Sequence, residues 1–169
     1  MKWFARAALA LLIFSGLRAG AQFDAAPFAE ARRMIREGSA ECVVIRDGKL
    51  HAGRGRGVMP LLDFSDRTPE LLRGATVVDK VIGRAAAALL IAGGARAVFG
   101  ETMSADAREF LEKHGVAAGY GKLVPRILNF DRSDLCPLEK SVAGIDDPAA
   151  AVAALRRRVA ELRRRAPRK

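Results

Sequence analysis

One tryptophan, one tyrosine, two histidines and two cysteines are all that this 169-residue sequence holds of those four residue types. Two cysteines cannot make the disulfide framework of a small secreted scaffold. Trp3 and Tyr120 are too few and too far apart to form a base-stacking platform. The leading apolar run, residues 7 to 17, has 11 residues against the roughly 20 that a membrane-spanning helix requires, and nothing later is both longer and free of charge. The chain between its two ends also lacks net charge. Lys2, Arg6 and Arg18 stand at the start without an acid, and eight cations follow Leu155 against Glu161 alone; these two segments carry the whole net charge of +10. A neutral body is not the footprint of a nucleic-acid clamp, so nucleic acid is not the expected partner.

Half of the residues are hydrophobic, enough for one domain to bury a core without metal or disulfide support. The start places Lys2 and Arg6 before the apolar run and Ala19-Gly20-Ala21 before Gln22, the layout of an export signal with a small-x-small cleavage site. Residues 1–21 are therefore set apart as a signal peptide, and an exported protein, periplasmic or envelope-bound, is expected; a cytoplasmic one follows if that segment is not a signal. In an oxidising compartment Cys42 and Cys136 could pair; elsewhere they are a core residue and a reactive thiol.

The remaining chain predicts a domain over residues 22–147 and a basic helix and tail over 148–169. Phe28–Glu37 has the apolar spacing of a short helix stopped by Gly38, and Arg46-Asp47-Gly48 between apolar runs is a hairpin signal. Short helical pieces are expected around Pro60 and Pro69. Ala75–Val78 reads as a buried strand and Asp79–Ala92 as a nearly all-apolar helix. Strands at Ala95–Phe99 and Val116–Tyr120 flank a helix from Ser104 to His114, and Ile127–Phe130 reads as a last strand. Alternating strands and helices imply an α/β fold: a three-layer α/β/α sandwich with parallel pairing after an antiparallel hairpin.

Four stretches carry a family resemblance: ECVVIRDGKL, RGVMPLLDF, VVDKVIGRAAAALLIAGG and CPLEKSV. They resemble an uncharacterised bacterial family, domain of unknown function 1893, and the element order is similar to the cytidine deaminase-like superfamily. That resemblance implies a sheet opened by a hairpin and a site at the start of the central helix. Zinc deaminases of that superfamily carry His-x-Glu or Cys-x-Glu there and Pro-Cys-x-x-Cys at the next helix. This sequence has Asp79-Lys80-Val81 and Met103-Ser104-Ala105-Asp106, and His51-Ala52-Gly53 on the hairpin lacks the acid. No metal-ligand set and no cofactor is therefore implied.

The candidate catalytic residues are Asp79, Lys80, Cys136 and Glu139. Asp79 and Lys80 are placed where strand gives way to helix, the usual ligand crevice of α/β sheets, with Asp79 equally suited to cap the helix. Cys136 precedes Pro137 and stands three residues before Glu139, a capping-box spacing, and a helix N-terminus can activate a thiol. Arg54, Arg56 and Gly57 in the glycine-rich hairpin exit, with Gly83 and Ser104, are the candidate ligand contacts; solvated arginines and a plain Ser104 cap are the simpler reading. Three functions follow: a zinc-less deaminase-like domain binding a small, nucleotide-like ligand at the sheet edge; a metal-independent enzyme with Cys136 as nucleophile; or an envelope protein acting on an anionic surface through Arg156, Arg157, Arg158, Arg163, Arg164 and Arg165. For that tail the simpler reading docks Leu155, Val159 and Leu162 on the body.

Overall fold

The computed structural model describes residues 23–165. The elements run α1 (Ala26–Arg36), β1 (Cys42–Arg46), β2 (Lys49–Gly53), α2 (Met59–Arg67), α3 (Pro69–Leu72), β3 (Thr76–Ile82), α4 (Arg84–Ala92), β4 (Ala97–Ser104), α5 (Ala105–Lys113), β5 (Ala117–Val124), α6 (Pro137–Val142) and α7 (Pro148–Arg165). The five strands form one mixed sheet in the order β2-β1-β3-β4-β5. The first three are antiparallel and the last three parallel.

Asp47 and Gly48 take φ of 50° and 74°, the left-handed pair that lets a two-residue turn follow the strand twist. Because β3, β4 and β5 succeed one another in a single direction, right-handed crossovers carry α4 and α5 to the same face. There Ala87, Leu89, Leu90, Phe110 and Leu111 pack with Val44, Val77 and Val98, and Val142, Leu155 and Val159 from α6 and α7 complete this larger core. Across the sheet α1 covers the other face alone, setting Phe28, Ala31 and Ile35 on Val43, Val78 and Phe99.

Two expectations are corrected here. The strand expected at Ala75–Val78 continues to Ile82, so α4 begins at Arg84 and Asp79 lies within β3 rather than at a helix cap. The β-branched run Val77-Val78, then Val81-Ile82, favours strand strongly enough to carry Asp79 and Lys80 with it. Ile127–Phe130 forms no strand; only an isolated bridge joins Leu128 to Leu135. Pro125 interrupts the apolar run, and Asn129, Asp131 and Ser133 bond among themselves in a turn instead.

The three parallel strands share one irregularity. Asp79 pairs with Gly100 and Gly100 with Tyr120, but the next partners are Val81–Thr102 and Thr102–Lys122, so Lys80, Glu101 and Gly121 drop out of the ladder together. Val77, Val98 and Ala118 consequently share a core with Ile82, Met103 and Leu123, five residues further on. Strict alternation would put those residues on opposite faces. The reversal lies one residue beyond Asp79 and turns the strand ends toward the helical side.

Candidate functional site

Five residues cross the whole sheet in one row: Gly53 on β2, Cys42 on β1, Asp79 on β3, Gly100 on β4 and Tyr120 on β5. The row crosses the parallel strands at their middles, three residues before the end of β3 and four before the ends of β4 and β5; the carboxyl ends beyond it are where open α/β sheets hold ligands. Its glycines are sterically required. A Cβ on Gly53 would lie 2.6 Å from the Cys42 Sγ and 2.8 Å from Pro60, and one on Gly100 would lie 2.8 Å from the Thr102 carbonyl oxygen. At its centre stand a thiol and a carboxyl.

Asp79 is 7% exposed. One carboxylate oxygen accepts the Val81 N–H at 2.9 Å, and among the described residues no ion pair reaches it. Burial lifts its pKa to about 7; the Val81 N–H opposes the rise and the nearby Glu41 charge adds to it. Cys42, fully buried beside it, has its thiol pushed far above the ordinary range, first by burial and then by the Asp79 charge. It is a packing residue rather than a nucleophile. Lys80, on the exposed side, pairs with Glu41 at 3.5 Å, and its N–H donates to the Glu41 carbonyl.

A second buried carboxylate organises the start of α4. Glu139 accepts the N–H groups of Arg84 at 2.8 Å and Ala85 at 3.0 Å, satisfying two of the four donors a helix N-terminus leaves open. Its approach requires Gly83, where a Cβ would lie 2.4 Å from Oε1. Burial nevertheless raises the Glu139 pKa, because the two amides and the Arg84 charge offset desolvation only in part. The expected capping box is corrected accordingly: Cys136 makes no side-chain cap, and Glu139 serves a helix 55 residues away instead of its own. Arg84 turns from the same spot toward Asp106 at 2.6 Å and Asp146 at 3.0 Å, with its guanidinium 4.0 Å over the Phe110 ring. It ties α4 to α5 and to the segment before α7. A lone arginine inside an Ala/Leu run was the sequence signal for it; nothing local signalled the reach of Glu139.

The other candidates separate. Ser104 is buried and caps α5, accepting the Ala107 N–H at 3.2 Å. Arg54 donates to the Ser39 carbonyl at 3.1 Å and lines, with Gly38, Ser39, Ala40, Glu41 and Gly55, an open cleft of about 350 Å³. Glu41 and Arg54 are each one residue outward from the row, so this cleft adjoins the Asp79 edge. Arg56 lies 5.7 Å from the centre of the Phe130 ring, which is 92% exposed. Gly57, at φ 58°, turns the chain into α2. Cys136 and Cys42 are both free thiols. Among the described residues no hydrogen bond or ion pair joins Cys136 to Asp79 or Lys80; its N–H donates to the Ile127 carbonyl. His51 is on β2, and His114 is bonded to the Phe110 carbonyl on α5.

The family described as TM1506, domain of unknown function (DUF1893), matches residues 30–159. The chain belongs to the DUF1893 family. A crystal structure of a DUF1893 family protein from Thermotoga maritima is similar in fold, with a TM-score of 0.69 at 23% identity, covering 76% of this chain and 87% of that one. No curated protein matches. The DUF1893 match takes in most of α7 as well as the sheet.

Among the described residues of this DUF1893 chain, the start of α4 does not fit a zinc centre. The first turn of α4 presents Gly83, Arg84 and Ala85, and among the described residues no three His, Cys, Asp or Glu side chains converge. Also among the described residues, no helix is long and apolar enough to cross a membrane; the expected signal segment lies outside them.

Proposed function

We propose that this DUF1893 chain is a deaminase-like domain without zinc chemistry that binds a small ligand of nucleotide type at the carboxyl edge of its sheet. One observation carries the reading: a buried carboxyl, Asp79, that is in no ion pair among the described residues and stands in the strand leading to the carboxyl edge of the sheet. Burying a charged carboxylate is unfavourable unless it is paired and hydrogen-bonded, and one backbone N–H offsets that cost only in part. Near neutral pH its carboxyl exists in both forms. The protonated form donates one hydrogen bond and accepts another, the pattern that complements the N–H and ring nitrogen of a cytosine or adenine edge. The hairpin exit brings Arg54 and Arg56, and β3 brings Lys80, as cations for a phosphate.

The element order of the superfamily and the start of α4 support the deaminase-like placement. Where zinc deaminases put a proton-shuttling glutamate on the central helix, this chain puts the Glu139 carboxylate on the amides of that helix from outside. That arrangement supports binding and positioning rather than hydrolysis. The test is calorimetric titration of the full chain with cytidine and adenosine monophosphates, uridine monophosphate and inorganic phosphate. The reading expects all three nucleotides to bind more tightly than inorganic phosphate, Asp79→Asn, which keeps a donor and an acceptor, to retain that binding, and Asp79→Ala to weaken it at least about tenfold. Binding to phosphate alone, or no binding at all, overturns it.

A further inference from the structure

The charge on α7 has an arrangement that packing alone does not require. Ala151, Ala154, Leu155 and Val159 are buried against the body, so the apolar stripe that could have entered a lipid interface is already spent within the protein. Three of the six arginines are engaged in ways that fold the chain: Arg156 reaches Asp66 at 2.6 Å and Ser65, Arg158 pairs with Glu161 at 3.0 Å, and Arg163 donates to the Met59 Sδ at 3.4 Å. Arg157, Arg164 and Arg165 are exposed and are in no ion pair among the described residues. Favourable interaction with the helix C-terminus accounts for cations in the last turn, but not for Arg157 two turns earlier. Seven residues apart, Arg157 and Arg164 fall on one stripe about 10 Å apart. Exposed Ala153 and Ala160 share that side.

We propose that the outer face of α7 is an electrostatic contact for an anionic lipid bilayer. The face is carried on an 18-residue helix fixed by its buried side, so Arg157 and Arg164 are held on one line. Arginine and alanine make up most of it, with Glu161 at its margin paired to Arg158, and it has no aromatic to stack on a base and no amide to read one, which distinguishes it from a nucleic-acid surface. With residues 22–155 neutral overall, the sequence offers little charge to wrap a polyanion from a second side.

The test is co-sedimentation of the full chain with phosphatidylcholine vesicles, with and without phosphatidylglycerol, at low and physiological salt. The quantity read is the ratio of binding to the anionic over the neutral vesicles, which cancels any affinity for lipid as such. The wild type is expected to favour anionic vesicles and to lose that preference as salt rises. The double variant Arg157→Glu/Arg164→Glu is expected to lower the ratio by about thirtyfold or more, with an unchanged melting temperature. Lys49→Glu/Arg73→Glu, an equal charge change on exposed residues of the hairpin turn and the α3–β3 turn, is expected to lower it no more than a few-fold. Equal losses in the two variants, no anionic preference in the wild type, or tighter arginine-dependent binding to duplex DNA than to vesicles overturns the proposal.

Discussion

Replacing Asp79 by asparagine should make the protein more stable at pH 8 and change how its stability depends on pH. The carboxyl is ordinarily ionised above pH 3.8, whereas burial in the folded chain lifts that value to about 7. Below pH 4 it is protonated in both states and the shift costs nothing. Between pH 4 and 7 the unfolded chain releases a proton that the folded chain keeps, so folding loses about 1.4 kcal/mol per pH unit. The loss is complete above pH 7 and is on the order of 4 kcal/mol. Asparagine keeps an oxygen for the Val81 N–H and does not titrate. Urea unfolding of wild type and Asp79→Asn at pH 5, 6, 7 and 8 reads the difference directly. Glu139, whose pKa is also raised, contributes to both proteins and cancels. Glu101 and Asp146, held low by arginine and lysine partners, lose their contribution only below the ordinary carboxylate range. The variant should gain on the wild type progressively from pH 5 to 8. A difference that stays flat across that window would refute the claim that burial raises the Asp79 pKa in the folded chain.

Other consequences follow from the same contacts. Glu139→Ala should destabilise the chain by about 2–4 kcal/mol in the same urea assay, because it strands two buried amide donors at the start of α4; Glu139→Gln, which keeps an acceptor, should cost about half as much. Gly83→Ala should cost about 1–3 kcal/mol through overlap with Glu139, and combining it with Glu139→Ala should cost less than the two changes added. Titration of the native chain with an aromatic disulfide reagent should modify Cys136 and spare Cys42 until denaturant is added; two thiols reacting at one rate would show that the row at Cys42 opens freely.

Much of the architecture is legible in local chemistry. Asp47-Gly48 marks the hairpin, Gly38 and Gly115 end their helices, and Pro148 opens α7. Less legible is where β3 ends. Valine and isoleucine flank Asp79-Lys80 on both sides, and a charged pair in an apolar run reads naturally as a helix start. What decides otherwise is tertiary, because β1 and β4 pair with β3 on both sides at Asp79. The site shows the same division. Asp79 and Lys80 stand out from composition alone, but their separation into a buried and an exposed partner depends on strand alternation that the helical reading hid. Glu139 seemed to belong to its own helix, and its bond to Arg84 and Ala85 spans more than fifty residues, beyond any local pattern. The glycines at 53, 83 and 100 similarly acquire meaning only from neighbours that the fold supplies.

Proton exchange on ligand binding tests the central claim most directly. Calorimetric titration of the full chain with cytidine monophosphate at pH 7, in buffers of low and high ionisation heat, reads whether a proton moves as the complex forms. If Asp79 meets the base with its carboxyl protonated, the apparent heat must differ between the buffers, and that difference must be lost in Asp79→Asn, which binds without titrating. Equal heats in the two buffers, or a buffer difference that persists in Asp79→Asn, would contradict the account.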